Sequence, residues 1–207
     1  MKIPRFGHFA WVTLVGGAAL VGCEGGSQPP TSPKAAPEPG GAAVQEGNKM
    51  SLHDFTMKTI TGEERSLGDY RGKVLLVVNV ASECGYTPQY EGLEKLHERF
   101  EAKGFSVLGF PSNDYGAQEP GTDQEIATFC TSKFGVKFPM FSKIPVKGSS
   151  KHPMYGFLTQ AEPAGEVKWN FEKFLVGKDG KVIGRFPSAV EPLDEKLVSA
   201  IEKALGS

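Results

Sequence analysis

Three residues in this chain of 207 carry sulfur that can act as a nucleophile or metal ligand: Cys23, Cys84 and Cys130. Three thiols cannot build a four-thiolate site and are too few to staple a small disulfide-rich domain, so each needs its own chemistry. Cys84 lies in Ser82-Glu83-Cys84-Gly85-Tyr86-Thr87-Pro88, just past an apolar run. Such a polar, backbone-flexible stretch suits a reactive thiol better than a packed one. No second cysteine stands at C-x-x-C or C-x-x-x-C spacing, which argues against disulfide exchange and copper delivery. A thiolate placed there is available as a nucleophile. Cys130 follows 46 residues later, near the end of a helical pattern. The histidines, His8, His53, His97 and His152, are scattered without ligand spacing, so neither a metal site nor a cofactor is expected.

The elements that must hold Cys84 follow from periodicity. Residues 73–80 form a continuous apolar, β-branched run, the pattern of a central strand buried on both faces. Pro88 opens a helix in which Tyr90, Leu93, Leu96, His97 and Phe100 recur at three- and four-residue spacing until Gly104 stops it. His97 belongs to that stripe and reads as structural. Cys84 thus occupies the loop from a central strand into a helix, at the carboxyl edge of a sheet. Its side chain is expected to be accessible there, beside a helix N-terminus that favours the thiolate. Upstream, residues 55–67 alternate around Thr61-Gly62 as a hairpin. Downstream come a strand at 105–110, a helix at 123–133 carrying Cys130, a short strand at 138–141 and a short helix at 152–160. Strands at 171–176 and 181–186 and an amphipathic helix at 192–205 close the chain. This order is α/β, with a mixed central sheet flanked by helices.

Three segments then narrow the reading. Asn79-Val80-Ala81-Ser82-Glu83-Cys84-Gly85-Tyr86-Thr87, Gly109-Phe110-Pro111-Ser112-Asn113-Asp114-Tyr115-Gly116-Ala117-Gln118-Glu119-Pro120-Gly121 and Lys168-Trp169-Asn170-Phe171-Glu172-Lys173-Phe174-Leu175-Val176 resemble glutathione peroxidases, in order and in spacing. The resemblance covers residues 51 to the C-terminus. It implies a thioredoxin-like fold with an added N-terminal β-hairpin, and thiol peroxidase activity on hydrogen peroxide and organic or lipid hydroperoxides. By the same resemblance Cys84 stands at the peroxidatic position, Gln118 at the family's catalytic glutamine, and Trp169 and Asn170 at its tryptophan and asparagine. Physical chemistry accounts for these residue types. Lowering a thiol pKa from about 8.5 to below 7 raises the thiolate fraction at most about thirtyfold, roughly 2 kcal/mol. Neutral donors such as the Gln118 and Asn170 amides and the Trp169 indole can stabilise both thiolate and departing oxygen, each worth about 2–4 kcal/mol by analogy with oxyanion holes.

Cys130 resembles the resolving cysteine of family members that use thioredoxin, which trap the sulfenic acid as an internal disulfide for a dithiol protein to reduce. The competing reading is a buried apolar residue. A disulfide needs Cα atoms within about 7 Å, so a helical Cys130 farther away would require local unwinding. Ser112 stands where many members have a second cysteine, and Asp114 and Tyr115 replace commoner Gln and Phe, with the pocket rim as the place affected. Residues 142–167 leave little room for the insertion through which tetrameric relatives associate. A monomer is therefore expected, with an open site for bulky hydroperoxides and a thioredoxin-like reductant rather than glutathione.

The first 49 residues read as an address and a tether. Lys2 and Arg5 precede an apolar run at 9–20, a secretory signal too short to span a bilayer. It ends in Leu20-Val21-Gly22-Cys23, which resembles the lipobox of bacterial lipoproteins, so residues 1–22 are expected to be removed and Cys23 acylated. Residues 23–49 are rich in Gly, Pro, Ala and Ser and should form a disordered tether spanning about 25–30 Å. The folded domain is expected at 50–207, on the periplasmic or outer face of a bacterial envelope and held to the membrane by lipid. A net charge of -1 provides no field for a nucleic acid. The same sequence also fits a sensor that relays oxidation to a partner protein, which turnover with a dithiol reductant would separate from a scavenger; a silent lipoprotein is opposed by the intact Cys84, Gln118, Trp169 and Asn170.

Overall fold

The computed structural model describes residues 50–206. The expected leader, the acylated Cys23 and the tether lie outside the described residues. The expected hairpin is present as β1 (Thr56–Lys58) and β2 (Glu64–Ser66), paired antiparallel. Its turn needs Gly62, which sits at φ +89° and donates its N–H to the Thr59 carbonyl.

The apolar run becomes β3 (Val74–Val80), every residue of it buried. It pairs in parallel with β4 (Phe105–Pro111) on one side. On the other side it pairs antiparallel with β5 (Lys173–Val176), which is followed by β6 (Val182–Phe186), giving the order β4-β3-β5-β6. Alternation along β3 divides the core into two layers. Val74, Leu76, Val78 and Val80 face one apolar cluster, and Leu75 and Val77 face a second that includes Leu52, Phe141, Met154 and Tyr155.

The first cluster is covered by α1 (Gln89–Phe100), which buries Tyr90, Leu93, Leu96, His97 and Phe100 as the spacing predicts. Each such aliphatic or aromatic side chain contributes about 1.5–3 kcal/mol by leaving water. His97 is structural in this sense: it is buried, and its Nδ1 accepts the Val107 N–H at 3.4 Å. Helix α2 (Asp123–Phe134) begins at a capping box in which Thr122 and Glu125 satisfy each other's backbone N–H groups. It ends at Gly135 in the left-handed conformation. Short α3 (Pro153–Leu158) and closing α4 (Glu195–Gly206) complete the chain.

Three elements differ from expectation. Residues 138–141 are not a strand but two isolated bridges, Gly109 with Met140 and Thr59 with Phe141, because Pro139 has no N–H to continue a ladder. A Cβ at Gly109 would collide with the Met140 sulfur, so any larger residue there requires the Met140 side chain to move. Strand β5 starts at Lys173 rather than 171, because Phe171 takes φ +64° as the chain turns into the sheet. Helix α4 starts at Glu195 rather than 192, after the turn that closes with Asp194 N–H to the Glu191 carbonyl.

Candidate active site

The carboxyl end of central β3 and the start of α1 place Cys84 in the loop between them. Thr87 clamps that loop: its hydroxyl accepts the Cys84 N–H and donates to the Ala81 carbonyl, both at 2.9 Å. Tyr86 N–H then points back at Cys84 Sγ, 3.4 Å away. This donor is a backbone group, which no side-chain pattern singles out. The expectation of an open thiol needs correction: Cys84 is only 8% exposed. The Thr87 clamp draws the loop inward, and the sulfur joins the apolar cluster beneath α1.

Gln118 and Asn170 meet directly, Asn170 Nδ2 donating to Gln118 Oε1 at 3.0 Å and, more weakly, to the Tyr115 carbonyl at 3.4 Å. With its oxygen engaged, Gln118 has its NH2 group left to offer. Glu83 N–H donates to the Gln118 carbonyl at 3.0 Å, so the residue before Cys84 is tied to the same loop. Gly116 and Ala117, at φ +65° and +52°, make the tight left-handed turn that delivers Gln118. Asn170 is fully buried, whereas Trp169 is 38% exposed, its ring 5.5 Å from that of Tyr115. Among the described residues the hydrogen bond that reaches Cys84 Sγ comes from Tyr86, and none joins it to Gln118, Trp169 or Asn170.

Residues outside the expected set hold Trp169 and Asn170 in place. Asn79, next to last in β3, donates to the Trp169 carbonyl and accepts the Glu172 N–H, while its own carbonyl accepts Phe171 N–H at 2.6 Å. The Glu172 carboxylate accepts Lys168 N–H at 2.6 Å and pairs with Arg185 at 2.5 Å, both side chains nearly inaccessible. Arg185 also donates to the carbonyls of Pro163, Gly165 and Glu166. Lys173, wholly buried, donates to Gln89 Oε1 and to the Ser188 and Val190 carbonyls. Burial brings its pKa down to about 8, with Glu191 and Glu172 opposing the fall. The one signal that could have flagged Asn79 is an amide inside an otherwise apolar run.

The rim residues are ordered as well. Asp114 accepts the Val146 and Lys147 N–H groups, and Tyr115, its hydroxyl bonded to the Val167 carbonyl, is buried beneath Lys147. Burial, with Glu172 and other carboxylates adding to it, pushes the Tyr115 hydroxyl up to about 12.

Cys130 is 1% exposed on α2, in the same apolar cluster as Cys84, and both are free thiols. Burial pushes its pKa up to about 11; the nearby Tyr90 hydroxyl opposes the shift and the Glu119 charge adds to it. Its carbonyl accepts the N–H groups of Gly135 and Val136, so it anchors the end of α2.

The family model for glutathione peroxidase matches residues 52–159, which contain Cys84, Gln118 and Cys130. The chain belongs to the glutathione peroxidase family. It is therefore a peroxidase, an oxidoreductase. It is 46% identical over 164 residues to the hydroperoxy fatty acid reductase gpx1 of Synechocystis, covering 75% of this chain and 96% of that one. It is also 46% identical over 178 residues to the thioredoxin/glutathione peroxidase BtuE of Escherichia coli, covering 75% and 97%. A thioredoxin-family thiol:disulfide interchange protein from Chlorobium tepidum shares the fold at 16% identity, with TM-score 0.56 over 73% of this chain and 93% of that one. This peroxidase thus has the expected thioredoxin-like fold, a mixed sheet flanked by helices.

Proposed function

We propose that the chain is a thiol peroxidase that reduces hydrogen peroxide and organic or lipid hydroperoxides through Cys84, and that a thioredoxin-like dithiol protein regenerates it. The Cys84 thiolate attacks one peroxide oxygen; the S–O bond forms as the O–O bond breaks, and the departing alkoxide or hydroxide takes a proton. Sulfur is oxidised by two electrons and the peroxide reduced by two. The Gln118 amide and the Trp169 indole donate to the oxygen as it gains charge, with Asn170 orienting the Gln118 amide. Cys130 then displaces hydroxide from the sulfenic acid, giving a Cys84–Cys130 disulfide, water and a substrate for dithiol exchange.

The observation that carries the reading is the hydrogen-bonded series from Asn170 through Gln118 to Glu83, which ends one residue short of Cys84. The names of two relatives support the finer points: one is a hydroperoxy fatty acid reductase, the other a thioredoxin/glutathione peroxidase. We also assign the enzyme, as a monomer, to a bacterial envelope membrane through an acylated Cys23, on the sequence pattern alone.

The deciding experiment is a steady-state assay of the full chain with thioredoxin or glutathione as donor and hydrogen peroxide or a phospholipid hydroperoxide as oxidant. Thioredoxin-driven turnover that disappears in both Cys84→Ser and Cys130→Ser is the expected result. Equal turnover of Cys130→Ser, or a clear preference for glutathione, would overturn the two-cysteine cycle.

A further inference from the structure

A cleft of about 530 Å³ opens between the loop that carries Cys84 and the helix that carries Cys130. Ser82 and Glu83 line it from the loop, Glu125, Ile126 and Phe129 from α2, and Glu119 from the segment joining Gln118 to the helix. Glu119 is 1% exposed, yet neither carboxyl oxygen has a hydrogen-bond partner. Its backbone is well held, the N–H donating to Asn113 Oδ1 at 2.8 Å and the carbonyl accepting from Lys143 Nζ at 3.0 Å. The main chain is thus held while the buried carboxyl is left unsatisfied, which is uncommon for a charge-bearing group and calls for a reason. An unpartnered acid whose charge reaches Cys130, on a cleft between the helix that carries Cys130 and the loop that carries Cys84, supplies one, because disulfide formation must move the Cys130 proton.

We propose that Glu119 is the proton acceptor for disulfide formation between Cys130 and the Cys84 sulfenic acid, an inference that rests on the two-cysteine cycle described above. The Cys130 S–H bond breaks and its proton passes to the Glu119 carboxylate. The sulfur lone pair forms the S–S bond as the S–O bond of Cys84 breaks, and hydroxide leaves, taking the proton back from Glu119 as water. The Cys130 sulfur is oxidised, the Cys84 sulfur reduced, and Glu119 returns to its starting state.

The electrostatics match that task. Burial raises the Glu119 carboxyl to about 7, so it can both take and return a proton near neutrality. Ser82 and Lys143 pull it down, Glu83 pushes it up, and Ser82 lies against it without a hydrogen bond of regular geometry. From the opposite side its charge acts on Tyr90 of α1 and Cys130 of α2, raising both. Glu125, which shares the cleft, is committed to Thr122. A thiol at about 11 is almost wholly protonated at pH 7, so a nearby acceptor removes the main obstacle to its attack.

The test separates the two steps by rapid mixing with peroxide, following loss of the Cys84 thiol and appearance of the disulfide in quenched samples. In Glu119→Gln the disulfide step should slow by about tenfold or more while the peroxide step loses at most about threefold. The pH profile is the second reading. Wild-type disulfide formation should rise with pH to a plateau above about 7, whereas Glu119→Gln should keep rising, close to tenfold per pH unit, toward the range of the thiol itself. Glu119→Asp should restore part of the rate together with a plateau. Disulfide formation in Glu119→Gln within about twofold of wild type, or a wild-type profile without the plateau, would overturn the proposal alone. No disulfide in the wild type would remove the two-cysteine cycle and Glu119's role with it.

Discussion

The side-chain amide of Asn79 donates to the Trp169 carbonyl at 3.0 Å and accepts the Glu172 N–H at 3.1 Å, joining the carboxyl end of the central strand to the turn that presents Trp169 and Asn170. Replacing it by Leu keeps the volume but leaves a buried donor and acceptor unpaired. Asn79→Leu should cost about 2–4 kcal/mol, read from urea unfolding, and should lower the peroxide rate of the folded protein. A loss below about 0.5 kcal/mol would show that this clamp matters little.

Gln118 and Asn170 share a hydrogen bond and should act as a unit. Gln118→Ala is expected to reduce the rate of Cys84 oxidation by about ten- to a thousandfold without unfolding the protein, and Asn170→Ala by less. Because Asn170 orients the Gln118 amide, the double variant should lose less than the product of the single losses. Stopped-flow rates for all four proteins close that cycle, and strict multiplicativity would contradict the coupling.

Arg185 and Glu172 form a buried ion pair that holds residues 163–168 ahead of Trp169. Arg185→Met leaves the Glu172 carboxylate buried without its partner and strands three carbonyls. Destabilisation of about 3–5 kcal/mol is expected, measured by thermal or urea unfolding. Arg185→Lys keeps the charge but lacks the forked donor geometry, and should fall between the two.

Glu119 should make stability depend on pH in an unusual direction for a carboxylate. Its folded pKa, about 7, lies above the ordinary value of 4.5, so the unfolded chain releases this proton at lower pH than the folded one. Stability contributed by the neutral acid is present below about 4.5 and is lost as pH rises through 7. Glu119→Gln should therefore match the wild type near pH 4.5 and exceed it by roughly 1–3 kcal/mol at pH 8, in urea titrations at the two pH values. Equal stability at both would mean that the carboxyl is solvated rather than buried.

Cys23→Ala tests the envelope assignment by fractionation. The variant should leave the membrane pellet for the soluble fraction, since a tether without acyl chains retains no apolar surface to hold it. Unchanged partition would refute lipid anchoring through Cys23.

Much of the scaffold was legible because period and burial coincide: the apolar run of β3, the Tyr90 to Phe100 stripe of α1, and the Thr122–Glu125 cap of α2 each declare themselves locally. Cys84 could be placed from its polar loop, whereas Gln118, Trp169 and Asn170 were visible only through the family motifs. What escaped depends on contacts between distant segments. A glutamate in a Gly/Pro-rich stretch reads as solvated, yet Glu119 is enclosed once α2 packs beside it. Nothing local to Lys173 announces that three oxygens, from α1 and the 188–190 loop, converge on its ammonium. The Tyr86 N–H that reaches Cys84 Sγ is a backbone group, which no side-chain pattern encodes. Pro139 was the local warning against a strand at 138–141.

That same segment decides which flank of the sheet is open to another chain. Gly109 on the outer edge of β4 spends its N–H on the Pro139 carbonyl and its carbonyl on the Phe141 N–H. An intruding strand would find those groups taken and Met140 in the way, so edge-to-edge association through β4 is blocked. Extension of the four-stranded sheet by another chain would have to start from β6, a five-residue strand that runs straight into Pro187.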